Sequence, residues 1–94
     1  MTLLSPVEID RALAGLDGWR LDGEGALARD WKLADFADAL AFVQRVGELS
    51  ETANHHPDIL LHGWNKVRLT LSTHSEDGLT KADVELAAQI DDLG

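Results

Sequence analysis

Hydrophobic and polar positions change period several times along this chain. Ile9, Ala12, Leu13 and Leu16 recur at helical spacing. The stretch before them carries start signals. Ser5 can cap, Pro6 suits a first turn, Glu8 completes an S-x-x-E capping box, and Leu4 and Ile9 are spaced as a hydrophobic staple. Gly15 and Gly18 end this helix. Residues 19–22 and 26–33 read as two strands around a Gly23-Glu24-Gly25 turn, which predicts a hairpin. In the second strand Leu27, Trp31 and Leu33 share a face that Arg29 interrupts. Asp35 caps a second helix, in which Phe36, Ala39, Leu40, Phe42, Val43, Val46 and Leu49 form a wide apolar stripe through about Ala53. That width makes it the central helix of the core. Asn54 or Pro57 stops it, since proline cannot continue a helix and biases its predecessor to extended geometry.

The second half repeats the arrangement. Asp58–His62 predicts a third strand, Gly63-Trp64-Asn65 a turn, and residues 66–74 a fourth strand. Along the fourth, Val67, Leu69, Leu71 and Thr73 face one way and Lys66, Arg68, Thr70, Ser72 and His74 the other, the mark of a half-buried antiparallel strand. A last helix opens at Thr80, with Asp83 completing a capping box and Leu79 and Val84 a staple. Val84, Ala87, Ala88 and Ile90 are expected to face inward. The order is α-β-β-α-β-β-α. Two hairpins require antiparallel pairing, so the expectation is one α+β domain over residues 1–94 with its helices against one sheet face.

Composition removes several functions. There are 94 residues and no cysteine, which excludes disulfides and thiolate metal sites and fits a cytoplasmic protein. The first residues lack a basic region followed by a long apolar run, so no signal peptide is expected, and no apolar run is long enough to span a membrane. Eight Lys and Arg are scattered against seventeen Asp and Glu, and a net charge of −9 argues against nucleic-acid binding.

The candidate chemistry sits between Glu51 and Asp83, where all four histidines lie. If strands three and four form a hairpin around residues 63–65, paired residue numbers sum to about 127. His74 then arrives opposite residues 53–54, beside His55 and His56. Three imidazoles are thus expected around one point. Neutral imidazole accepts a proton and imidazolium gives one, so the cluster suits a reaction needing both an acid and a base. Glu51 lies one helical turn before His55, within reach of an imidazole or a substrate N–H. Each residue also has a structural reading: His55 and His56 as favourable C-terminal charges of a helix, Asp83 as a cap, and Trp19, Trp31 and Trp64 as core or interface. His62, beside the turn, has no assigned role. Three histidines and a carboxylate could bind zinc, but adjacent histidines rarely aim both rings at one ion and no H-E-x-x-H pattern is present, so no metal site is expected.

Glu51, three residues, His55-His56-Pro57, then Trp64, His74 and Asp83 at their spacings resemble the pattern of the pterin-4a-carbinolamine dehydratase family. The resemblance extends through residues 64–74, Gly18-Trp19 and Gly78-Leu79. It implies a four-stranded antiparallel sheet with three helices packed on one face. It implies dehydration of 4a-hydroxytetrahydrobiopterin to the quinonoid dihydropterin, in tetrahydropterin recycling, with no metal or organic cofactor. His55 and His74 match the acid/base pair and His56 the residue that orients the pterin. Glu51, Asn54, Ser72, Thr73, Ser75, Asp83 and Trp19 match positions at or around the substrate. The family commonly forms homodimers and homotetramers. The alternative is a non-catalytic relative serving as a protein-binding or assembly factor.

Overall fold

A computed structural model describes residues 2–93. Each helix begins where a short polar side chain takes an orphan backbone donor. Helix α1 (Pro6–Gly15) has the reciprocal Ser5–Glu8 box, with the Ser5 N–H donating to Glu8 at 2.8 Å and the Glu8 N–H to Ser5 Oγ at 3.2 Å. Helix α2 (Phe36–Ala53) starts at Asp35, whose Oδ1 accepts the Asp38 N–H at 2.8 Å. Helix α3 (Lys81–Asp91) starts at Thr80 and has the Thr80–Asp83 box. Asn54 ends α2 in the left-handed region at φ 51°, a conformation asparagine tolerates better than most residues.

The strands are β1 (Arg20–Leu21), β2 (Leu27–Lys32), β3 (Asp58–His62) and β4 (Lys66–Leu71). They form one antiparallel sheet in the order β1-β2-β4-β3. The long connection through α2 thus carries the chain past β2 to an outer position, and β4 returns to the centre between β2 and β3. The core lies between the sheet and the helices. Leu27, Val67, Leu69 and Leu71 from the sheet meet Phe42, Val46, Leu86 and Ile90 from α2 and α3. The resulting fold is α+β in the expected element order, with three helices on one face.

Several details differ from the sequence reading: the first strand is Arg20–Leu21 instead of 19–22, and Phe36 and Leu40 of the expected apolar stripe are exposed. The second strand runs Leu27–Lys32 instead of 26–33. Arg29 does lie on the apolar face it was read as interrupting, and the fold accommodates it: its guanidinium lies 4.6 Å over the Trp31 ring and pairs with Asp91 at 2.5 Å, which gives the charge a partner where it enters the apolar layer. On α3 Ala88 is exposed, and Leu86 takes the buried position instead. Finally, the fourth strand stops at Leu71. Thr73 pairs with Gly78, its N–H reaching the Gly78 carbonyl at 2.8 Å, so the chain closes a tight loop. His74–Glu76 forms a 3₁₀ turn within that loop, and His74 leaves the ladder.

Candidate active site

The site is assembled where α2 ends, β4 ends and α3 begins. The hairpin register is fixed by Leu61↔Val67 and His62↔Lys66, so paired numbers sum to 128, one more than the sequence reading gave. Extended past the strand, this register sets Thr73 across from His55, Ser72 across from His56, and His74 across from Asn54. Alternate residues of a strand go to opposite faces. The ladder ends at Leu71, so contacts set the sides: His55 and Thr73 reach Asp83 of α3, while Ser72 and His74 line a depression with Thr70 of the open sheet face.

On the helix side the centre is Asp83, which is fully buried. As the third residue of α3 it lies at the positive end of the helix dipole. Its Oδ2 accepts the Thr80 N–H at 2.9 Å and the Thr73 hydroxyl at 2.8 Å. Its Oδ1 meets His55 Nε2 at 2.5 Å. The His55 side chain keeps 15% exposure and lines a cavity of about 360 Å³, together with Ala53, Lys81, Ala82 and Leu86. Its backbone N–H is bound to the Ser50 carbonyl at 3.1 Å, a consequence of the turn that Asn54 makes. One imidazole is thus buried on one side against a carboxylate and open on the other.

The open side is looser. His56 Nε2 pairs with Glu51 Oε2 at 2.5 Å, and both side chains are well exposed. His74 is exposed and lines a smaller depression of about 180 Å³ with Asp58, Thr70, Ser72 and Asp77. This depression and the His55 cavity share no lining residue. His55 and His74 thus line different depressions, both at the end of β4 where the imidazoles were expected to gather. Glu51 does meet an imidazole, and it is that of His56.

The remaining site positions divide. Ser72 lines the His74 depression. Ser75, next to His74, and Asn54, next to His55, are exposed. Thr73 is buried, with its hydroxyl committed to Asp83 and Thr80 instead of to a ligand. Trp19, expected to border the pocket, is a core residue, 6% exposed, edge-on to Trp31 at 5.7 Å, with its indole N–H donating to Asp91 at 2.8 Å. Sequence reasoning took Thr80 for a cap alone. Its signal was present in the T-x-x-D spacing, but that spacing does not reveal that the same carboxylate turns toward a histidine. Among the described residues no group of three or more His, Asp or Glu side chains is placed to hold a metal ion, and no helix is long and apolar enough to cross a membrane.

Comparison with known proteins places this geometry. A family model described as pterin 4 alpha carbinolamine dehydratase matches residues 2–93. A Gloeobacter violaceus protein, provisionally named pterin-4-alpha-carbinolamine dehydratase 2, is 46% identical over 93 residues, covering 96% of this chain and all of the relative. A similarly named Rubrobacter xylanophilus protein is 45% identical over 86 residues, covering 92% of this chain and 79% of the relative. Among solved structures, a transcriptional coactivator/pterin dehydratase from Brucella melitensis aligns over 98% of both chains with a TM-score of 0.91 at 35% identity. A pterin dehydratase-like protein, described as a RuBisCO assembly factor in the alpha-carboxysome, aligns over 81% of this chain and 88% of its own with a TM-score of 0.67 at 28% identity. With a full-length family match and relatives this close over nearly every residue, the chain belongs to the pterin 4 alpha carbinolamine dehydratase family.

Proposed function

We propose that this protein is an active hydro-lyase that dehydrates 4a-hydroxytetrahydrobiopterin, or a related 4a-carbinolamine pterin, to the quinonoid dihydropterin. The observation that carries this reading is the His55–Asp83 pair, a half-open imidazole backed by a fully buried carboxylate. In the reaction the C4a–O bond breaks and the hydroxyl leaves as water, taking a proton from an acid. The N5–H proton goes to a base, and the N5 electron pair forms the C4a=N5 bond. Protons balance, and neither a metal nor an oxidant is required. His55 and His74 are the acid/base pair, on the two sides of the β4 end. His56, held by Glu51, orients the pterin, with Asn54, Ser72 and Ser75 around it. Asp83 acts through His55.

The test is stopped-flow absorbance of quinonoid dihydropterin formed from freshly generated 4a-hydroxytetrahydropterin. Wild type is expected to accelerate the reaction and the His55→Ala/His74→Ala variant is not. His74→Ala alone is expected to slow it by roughly 10²–10⁴, the usual worth of one acid–base group. Undiminished turnover in a folded His74→Ala protein would remove His74 from the mechanism.

We also propose a cytoplasmic homo-oligomer. Strand β3 is an outer strand with Ile59 and Leu60 exposed, and an unpaired edge of this kind is suited to continuation by a second copy. The same edge, with Trp64 exposed 61% at the hairpin tip, favours a second reading, a binding or assembly role toward another protein. A folded wild type that gives no acceleration in the stopped-flow assay would select that reading.

A further inference from the structure

Asp83 offers only acceptors, and its surroundings decide where three protons lie. The Thr80 backbone N–H can only donate, and it donates to Oδ2 at 2.9 Å. Thr73 Oγ1 is 2.8 Å from the same Oδ2 and also 2.8 Å from Thr80 Oγ1. Thr73 has one hydroxyl proton. A carboxylate oxygen cannot give one back, so that proton goes to Asp83. The contact between the two hydroxyls must then be made with the proton of Thr80. Thr80 Oγ1 in turn accepts from backbone N–H groups of the first turn of α3, the Ala82 N–H among them at 3.3 Å. The chain of donors runs one way, from helix α3 through Thr80 and Thr73 into Asp83.

The last contact is His55 Nε2 on Oδ1. Asp83 has no exposure to water, so an unprotonated Nε2 there would set a lone pair against a carboxylate with nothing between them. We infer that the Thr80–Thr73 hydroxyl pair is a positioning device for the reaction: it fixes the rotamer of the Asp83 carboxylate, which holds the proton of neutral His55 on Nε2 and leaves Nδ1 as the nitrogen that exchanges a proton with substrate. Among the described residues Nδ1 has no partner, and the ring borders the 360 Å³ cavity. Thr73 and Thr80 touch no substrate in this scheme and act through Asp83 and His55. The scheme rests on the reading of His55 as an acid/base group, and its test is chosen to stand without it.

The experiment uses the full-length protein labelled with ¹⁵N-histidine, with Thr73→Val, Thr73→Ser, Thr80→Val and Thr80→Ser. Thr73→Val keeps the shape and removes the hydroxyl at a position that caps no α-helix, so folding is preserved where Thr80→Val could lose it. In wild type, the His55 Nε2–H is expected as a downfield proton resonance protected from solvent exchange, with Nδ1 unprotonated. In Thr73→Val that resonance is expected to broaden or vanish. In the dehydratase assay kcat is expected to fall by roughly tenfold to a hundredfold with KM changed far less, as for loss of a group that orients a working ligand. Both serine variants are expected to restore resonance and rate. A wild-type proton on Nδ1, or an unchanged protected resonance and kcat in Thr73→Val, overturns the inference. If wild type has no dehydratase activity, the functional reading fails, and the resonance still decides whether the hydroxyls position His55.

Discussion

Helix α3 carries two hydrogen-bonded carboxylates, one near each end, and they have opposite characters. Asp83 is fully buried and holds two threonine groups and an imidazole. Asp91 is about one-sixth exposed and holds the Arg29 guanidinium at 2.5 Å, the Trp19 indole N–H at 2.8 Å and the Asp17 N–H at 3.4 Å. Asp91 fastens parts of the chain that are far apart in sequence: the turn after α1, strand β2 and the end of α3. Its partners keep their protons at any ordinary pH. The histidine on Asp83 does not, because imidazole is the side chain that changes charge near neutrality. Burial alone therefore does not separate a working carboxylate from an architectural one. The proton chemistry of what it holds does.

Of the carboxylates, Asp83 is the one whose loss is expected to affect the reaction most. In Asp83→Asn an amide replaces one oxygen with a donor, which then faces either His55 or the Thr73 and Thr80 donors. Turnover is expected to fall by roughly 10²-fold or more, as for loss of an acid–base partner. Loss of buried hydrogen bonds adds about 1–3 kcal/mol of destabilisation. Stopped-flow rates at a temperature where circular dichroism shows the variant folded separate the two. If the rate were unchanged, Asp83 would join Asp91 as architecture.

Breaking Asp91 is expected to do the reverse. Asp91→Asn removes a charge-assisted pair and weakens the hold on Trp19, for a loss of about 1.5–3 kcal/mol. In a domain of this size each kcal/mol lowers Tm by roughly 4–8 °C. The rate per folded molecule is expected to stay within about twofold. A stable Asp91→Asn protein with impaired turnover would mean that the far end of α3 reaches the site, and the division between the two carboxylates would fail.

How much of this was readable in the sequence follows from the range of each interaction. The three helix starts were legible because Ser5, Asp35 and Thr80 act on backbone groups two or three residues away. The third strand was legible between a proline and a glycine turn, and the expected sum of paired residue numbers in its hairpin came within one of the observed register. Asp91 was not legible, since its partners lie 62 to 74 residues away and meet only once the sheet order is set. The partner of Arg29 was hidden for the same reason: a charge on an apolar face looks like an interruption until its carboxylate is found. The stop at Leu71 was hidden because Ser72-Thr73-His74 continues the alternation, and only the Thr73–Gly78 pairing ends it.

The Asp91 side can be sharpened through Gly18, which has φ 79°, and whose added Cβ would come within 2.9 Å of Arg29 Nε. Gly18→Ala combines a disfavoured backbone with displacement of the guanidinium from Asp91. A loss of about 1–2 kcal/mol is expected, measured by urea unfolding, because alanine at positive φ costs more than the usual entropy gain. In the Asp91→Asn background the same substitution is expected to cost less, since part of its effect has already been taken. Strict additivity would show that the strain is local to the turn and that Arg29 moves freely.

Asp30 supplies a third carboxylate and the smallest effect. It lies on the open face of the sheet, with Arg68 Nε at 2.7 Å and Arg20 at 3.0 Å, and all three side chains are nearly half exposed. Hydrogen bonding from Arg68, with further attraction from both guanidiniums, holds its carboxyl below the ordinary aspartate value of 3.8 against the opposing effect of burial. A carboxyl lowered on folding contributes stability above its unfolded value and loses it as pH falls through the folded one. Wild type is therefore expected to lose slightly more stability than Asp30→Asn as pH drops below about 4. Exposure limits the difference to about 0.2–1 kcal/mol, and salt should shrink it, because water and ions screen such a pair. Urea midpoints between neutral and acid pH, at low and high salt, measure it. A pH-dependent difference as large as the loss in Asp91→Asn would mean that the two arginines confine Asp30 more tightly than its exposure allows, and that arginine partners alone, without burial, suffice to make a carboxylate architectural.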